Sequence, residues 1–238
     1  MFPYIHTDFF LVGPMKIYFW GFFVSLGFLV SIIYLIKKYP KEKETFVDIG
    51  LFALLGSLLG ARVFYTLFYA NDIIFALKHF FNIWLGGLSS FGGFFGTTLA
   101  IFIYIKLKKL NFYEIAQKIA FILPLGLAIG RFGCFFINDH PGIKTSFNFL
   151  AVAYPDGPRF DHGLLLIFLN LAIFALFLKI KGRYLEYFML LYGIGRFGLD
   201  FLRIDEPMFA GLIPSQYGSI LLIALSLYLL KKLNKKEV

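Results

Sequence analysis

Cysteine occurs once in these 238 residues, at position 134. A single thiol excludes an internal disulfide and any zinc site built from cysteines. Charge is scarce as well: 16% of residues are Asp, Glu, Lys or Arg, where soluble domains carry about 25%. The chain has no long polar stretch beyond residues 138–162, which leaves no room for a soluble domain. It has no basic segment at its start, where Met1-Phe2-Pro3-Tyr4-Ile5-His6-Thr7-Asp8 stands in place of the charged opening of a signal peptide. No GK[ST] ending follows its glycine-rich turn Gly86–Gly93, so it has no phosphate loop of the soluble kind. It has no internal repeat, which weighs against a transporter made of inverted halves.

What fills the sequence is apolar. Hydrophobic residues make up 59%, aromatic residues 21%, and there are 33 phenylalanines; mean hydropathy is +0.78. These values describe an integral membrane protein. Seven apolar runs approach the length needed to cross ~30 Å of hydrocarbon: 16–36, 47–69, 88–105, 115–137, 163–180, 184–202 and 213–230. The net charge of +9 does not indicate nucleic acid, because the basic residues sit in short clusters between the runs. Lysines crowd alternate loops, at Lys37, Lys38, Lys41 and Lys43, at Lys106, Lys108 and Lys109, at Lys179 and Lys181 with Arg183, and at Lys231, Lys232, Lys235 and Lys236. The positive-inside bias makes these loops cytoplasmic. The expectation is an all-α polytopic chain, one transmembrane domain over residues 1–238, with seven helices, the N-terminus outside and the C-terminus in the cytoplasm.

The polar residues of the runs share one depth. Tyr18 opens the first run, Arg62 lies in the outer half of the second, and Ser89 and Ser90 open the third. Arg131 ends the fourth, His162 precedes the fifth, Arg196 and Asp200 lie near the outer end of the sixth, and Gln216 and Tyr217 open the seventh. Side chains that merely snorkel to headgroups would populate both leaflets, so the pattern predicts one outward-side polar cavity. A solute conduit would need polar groups through the full depth. Arg196, Asp200 and Arg203 are spaced i, i+4, i+7 and form one helical stripe. Two arginines to one aspartate leave a surplus of guanidinium, to which Arg62 and Arg131 add. Arginine binds phosphate oxygens with a planar fork, and the phosphate at hand in a membrane is a phospholipid headgroup.

Four stretches resemble the bacterial prolipoprotein diacylglyceryl transferases, in family order and over most of the chain. They are Gly60–Tyr69, Trp84–Gly93, Gly130–Gly142 (the family's GRIGNFINGELWG signature) and Tyr192–Arg203. The resemblance implies transfer of diacylglyceryl from phosphatidylglycerol to the lipobox cysteine of a preprolipoprotein signal peptide, with release of glycerol 1-phosphate, in the bacterial cytoplasmic (inner) membrane. It implies that Arg131 and Arg196 contact the lipid phosphate, that Asp200 fills a glutamate position, that Gly142 closes the signature loop, and that Tyr18 matches a pocket tyrosine. With these, Arg62, Ser89, Asp139 and Arg203 complete the expected substrate-binding set. The departures are specific: Phe91 where the family has a histidine, Cys134 for the first signature Asn, Asp139 for the signature Glu, and His162-Gly163-Leu164-Leu165 for a longer polar motif.

Chemistry at the lipid's glycerol carbon needs a thiolate and a leaving phosphate. Arginines can stabilise both charges, and His162, His140 and Asp139 at the rim are candidate bases, with His162 expected to be catalytic beside Arg131 and Arg196. Cys134, one turn from Arg131, reads as a small buried residue rather than a reactive thiol. Asp139 and His140 are two potential metal ligands, too few for a site, so no metal and no cofactor are expected. The expected partners are phosphatidylglycerol, the preprolipoprotein and bulk membrane lipid. A lipid-handling protein that kept the phosphate pocket and lost the reaction is the alternative, and Phe91 is its support.

Overall fold

A computed structural model describes residues 1–69, 72–82, 87–204 and 206–234. These group into two compact units, Leu35–Ile115 and the combination of Met1–Tyr34 with Ala116–Val238.

Within the Leu35–Ile115 unit, a 3₁₀ turn at Pro40–Glu42 follows helix α1 (Phe19–Lys38) and leads into α2 (Lys43–Phe68). A short α3 (Ile73–Lys78) and α4 (Ser90–Leu107) complete it. The α2–α4 pairing is its backbone-to-backbone seam, and glycines make it. A Cβ on Gly60 would lie 2.3 Å from the Gly92 carbonyl oxygen, and one on Gly96 would lie 2.1 Å from that of Gly56. Gly56 and Gly60 on one helix and Gly92 and Gly96 on the other are thus two small-xxx-small faces pressed together. Ser89 caps α4, accepting from the Gly92 amide at 3.4 Å and donating its own amide to Ala61 at 3.0 Å. Asp48 accepts from the Tyr104 hydroxyl at 2.9 Å lower in the pair. Gly96→Val is expected to force the seam apart and lower stability by at least the ~1–3 kcal/mol typical of overpacking. Thermal unfolding in detergent checks this, with Gly218→Val, which meets nothing within 4 Å, as the comparison.

The other unit holds most of α1, then α5 (Phe112–Ile137), α6 (His162–Phe177), α7 (Tyr184–Leu199) and α8 (Pro214–Asn234). Gly27 lets α1 touch α5, since a Cβ there would stand 2.4 Å from the Gly126 carbonyl oxygen. A 3₁₀ turn, Asp200–Leu202, extends α7.

Each of the seven apolar runs forms a helix. Among the described residues three helical segments are long and apolar enough to span a bilayer by length and composition: Phe19–Lys38, Pro40–Phe68 and Phe112–Ile137. Helices α6 and α7 have 16 residues each, about 24 Å at 1.5 Å per residue.

The chain is mostly helical, yet it is not all-α. Strands β1 (Phe9–Val12) and β2 (Met15–Tyr18) form a hairpin through Gly13 and Pro14, pairing Phe9 with Tyr18. Strands β3 (Pro141–Lys144), β4 (Ala151–Tyr154) and β5 (Gly157–Asp161) form an antiparallel sheet in the order β3-β5-β4. So the polar segment between the fourth and fifth runs is a folded cap with its own small core, Phe135, Val152, Tyr154, Leu164 and Ile167, closed by Phe2, Tyr4 and Phe132. Strands of four or five residues are too short to show a period of two against apolar neighbours. The Pro155-Asp156-Gly157 turn between β4 and β5 was nonetheless a readable hairpin signal, with Gly157 at φ 120°.

Candidate functional site

The site lies in the unit formed by residues 1–34 and 116–238, where the ends of α5 and α7 and the start of α6 carry its side chains. Helix α5 presents Arg131 in its penultimate turn, with its Nη1 3.6 Å from the Cys134 sulfur. Tyr192 on α7 is within electrostatic range of the Arg131 guanidinium. No carboxylate pairs with Arg131 among the described residues. Arg196, one turn after Tyr192 on the same face, is within electrostatic range of Arg131 and Arg203. Its Nε donates to Asp200 Oδ2 at 3.2 Å, the i, i+4 pairing that the stripe predicted.

Asp200 is the hub. It is 3% exposed, and its Oδ1 lies 3.2 Å from His162 Nε2 and 3.9 Å from Arg203 Nη1. The His162 contact is an ion pair only when the imidazole is protonated. Both ring nitrogens of His162, Asp200 Oδ1 and Arg196 Nη1 are buried without hydrogen-bond partners among the described residues. Of these, His162 Nε2 and Asp200 Oδ1 face each other at 3.2 Å, while His162 Nδ1 and Arg196 Nη1 are left without a partner, which is uncommon for buried polar atoms. Arg203 is held from the other side by Glu206. Next to Asp200 and Arg203 a cavity of about 350 Å³ reaches Glu206, Ile213 and Gln216.

The signature loop is fixed by a second buried polar knot that the sequence reading passed over. Asn138 follows α5 in the left-handed conformation, φ 51°, a helix end that Asn tolerates. Its Oδ1 accepts from the Ile5 and His6 amides at 3.1 and 3.3 Å, and its Nδ2 donates to Asp161 at 3.2 Å. Asp161, fully buried, accepts from the Tyr154 hydroxyl at 2.7 Å and caps α6 through the Leu164 amide at 2.8 Å. Burial raises the Asp161 carboxyl above its ordinary range against these hydrogen bonds, and burial with Asp161 alongside raises the Tyr154 phenol. An Asp immediately before an apolar run is a helix-start signal, so the Asp161 cap is legible in the sequence, while its partners Asn138 and Tyr154 are not. Asn138→Ala leaves Asp161 a donor short and is expected to cost about 1–3 kcal/mol, read as a fall in unfolding temperature.

Gly142 is where the loop meets the end of α7. A Cβ there would lie 2.7 Å from the Leu202 carbonyl oxygen and 2.8 Å from that of Phe160, and Gly142 bridges to Arg203. The glycine serves backbone approach, which holds Arg203 against the loop. Asp139 and His140 stand beyond Asn138, 3.6 Å apart and part-exposed. Burial lowers the His140 imidazole, and Asp139 opposes that.

The expected site residues divide. Arg131, Arg196, Asp200, His162 and Arg203 come together. Tyr18 ends β2, 59% exposed and edge-on to Phe9. Arg62 and Ser89 belong to the Leu35–Ile115 unit. There Arg62 spends its donors on the carbonyls of His79, Phe80 and Gly87, at 2.6, 2.8 and 3.0 Å, so it secures its own loop instead of adding an available guanidinium. Phe91 is 75% exposed.

A family model described as Prolipoprotein diacylglyceryl transferase matches residues 7–231. Curated proteins named phosphatidylglycerol–prolipoprotein diacylglyceryl transferase are similar across nearly the whole chain. The one from Francisella tularensis subsp. mediasiatica is 31% identical, covering 87% of this chain and 84% of its own. That from Clostridium botulinum is 30% identical, covering 96% and 97%, and that from Streptococcus equi subsp. zooepidemicus is 28% identical, covering 96% and 95%.

Proposed function

The chain belongs to the prolipoprotein diacylglyceryl transferase family, and from that premise we propose that it transfers diacylglyceryl from phosphatidylglycerol to the lipobox cysteine thiol of preprolipoprotein signal peptides. Glycerol 1-phosphate is the product released. The observation that carries this reading is the surplus of guanidinium: Arg131 has no carboxylate partner among the described residues, and Arg196 keeps a buried nitrogen unsatisfied close by.

In this reading the phosphate of the lipid lies between Arg131 and Arg196. The acceptor sulfur, as thiolate, forms a bond to the glycerol carbon that bears the phosphate. The carbon–oxygen bond breaks, and its electron pair leaves with glycerol phosphate, whose charge the two guanidinia stabilise. His162, neutral at the start, takes the thiol proton, and Asp200, 3.2 Å from its Nε2, orients the ring and receives the imidazolium that forms. Arg203, tied to Glu206, holds the signature loop and Asp200 in register. Phe91 cannot move a proton, and of the candidate bases His162 is the one that lies against Asp200 beside the arginines. The protein occupies the bacterial cytoplasmic membrane with seven spans, N-terminus outside, and the cluster at the outer leaflet.

Two experiments test this. Purified protein in discs of zwitterionic lipid is expected to bind phosphatidylglycerol in preference to diacylglycerol, and the double variant Arg131→Ala, Arg196→Ala is expected to lose that preference. Equal binding of the two lipids by wild type would remove the phosphate site. For topology, reporter fusions after Lys109 and after Asn148 are expected on opposite sides of the membrane; the same side for both sinks the seven-span arrangement.

A further inference from the structure

Cys134, Asp139 and His140 stand five and six positions apart along the chain, yet each offers a donor atom within 4.8 Å of the other two. The cause is the end of α5. Asn138 turns the backbone through the left-handed region, which folds Asp139 and His140 back over the last turn of the helix. Asn138 is itself locked by the Ile5 and His6 amides and by Asp161. On the far flank the His140 carbonyl accepts from the His162 amide at 3.1 Å. The three side chains are therefore held by a frame that does not depend on their own contacts.

We propose that Cys134, Asp139 and His140 form a binding site for one thiophilic divalent cation of the zinc type, with a fourth coordination position open. This goes beyond the transferase reading and does not depend on it. A thiolate, a carboxylate and an imidazole are donors that zinc accepts together, whereas magnesium and calcium take oxygen sets. A tetrahedral site with zinc bonds of 2.0–2.3 Å puts its donors roughly 3.3–3.8 Å apart. His140 Nε2 and Asp139 Oδ1 already lie 3.6 Å apart, so closing the site requires a movement of about 1 Å toward the sulfur. Cys134 forms the floor at 4% exposure, while the Asp139 and His140 side chains are 43% and 35% exposed; that leaves an entry path from the outside.

The electrostatics select among ions. Arg131 Nη1 lies 3.6 Å from the sulfur, so a thiolate formed there when a metal binds has a guanidinium beside it. Arg131 and Arg203 both act on His140, and they disfavour an ion held by the carboxylate alone, which would retain net positive charge. An ion that also takes the thiolate is neutralised by its two anionic ligands. The open fourth position fits water or a thiolate from outside the chain. From the sequence the pair Asp139–His140 was one ligand short; the fold supplies the third with the residue that departs from the family signature.

Cobalt is the probe, because it reports its ligands in the absorption spectrum. Cys134 is the sole cysteine, so a thiolate-to-cobalt charge-transfer band can come from no other place. Untagged protein in detergent is expected to bind one equivalent of Co²⁺ with that band, and Zn²⁺ is expected to abolish it by displacement. Cys134→Ser removes the band. His140→Gln and Asp139→Asn each weaken Co²⁺ binding at least tenfold, and their unchanged unfolding temperature without metal separates lost ligation from lost folding. No band in wild type, a band that survives Cys134→Ser, or unchanged affinity in both other variants overturns the proposal. None of these readings needs lipid or transfer, so a failed transfer assay leaves them intact.

Discussion

Arg131→Ala is expected to reduce the rate of diacylglyceryl transfer by about 10²–10³-fold, the usual cost of one preorganised donor at a developing negative charge. The reason lies in what surrounds the guanidinium. It donates to the Cys134 sulfur at 3.6 Å, lies within range of Tyr192, and has no carboxylate to neutralise it among the described residues. An arginine so placed is available to an anion from outside. If the contact strengthens as the phosphate leaves, the rate falls far more than lipid affinity. Arg131→Lys keeps the charge and loses the two-pronged fork, so its rate belongs between wild type and Ala. Near-normal transfer by Arg131→Ala, in protein that still inserts and folds, removes Arg131 from the mechanism and leaves Arg196 as the phosphate ligand.

The second large effect is at Asp200. Among the described residues its carboxylate is the one anion that His162, Arg196 and Arg203 approach together, and it is 3% exposed. Asp200→Asn keeps the shape and deletes the charge. Breaking a buried ionic contact by removing one partner costs about 3–5 kcal/mol, because the other charges stay buried and uncompensated. A marked fall in unfolding temperature and a loss of transfer are therefore expected together. Asp200→Glu is expected to keep the charge and most of the transfer, at an overpacking cost of about 1–3 kcal/mol. An Asn variant with wild-type unfolding and wild-type transfer would show that Asp200 is not the hub.

The Arg196–Asp200 pair was legible because helical spacing is fixed. Arg196 and Asp200 at i, i+4 pair as that spacing predicts, but α7 ends at Leu199 and Arg203 follows the 3₁₀ turn in extended backbone. Its approach to Asp200 therefore comes from the turn and not from one continuous helical face, and His162 meets them from α6. The apolar runs were legible for a similar reason: nothing competes with length and hydropathy in announcing a helix of that kind. What escaped depends on contacts between segments far apart in sequence. The knot of Asn138, Asp161 and Tyr154 joins a helix end to a sheet that strands of four residues do not advertise. Arg62 looked like a further available cation, because charge alone does not reveal that three backbone carbonyls already hold it. Cys134 looked inert for the same kind of reason, since its neighbours Asp139 and His140 arrive only through the left-handed turn at Asn138.

The most direct test of the central claim is transfer itself. Purified protein is incubated with phosphatidylglycerol and a synthetic lipobox peptide, and the peptide is weighed by mass spectrometry. The account predicts a peptide heavier by one diacylglyceryl group, attached at the cysteine, with an equal amount of glycerol 1-phosphate released and no product from the serine analogue. A folded protein that binds phosphatidylglycerol and leaves the cysteine peptide unmodified would contradict it.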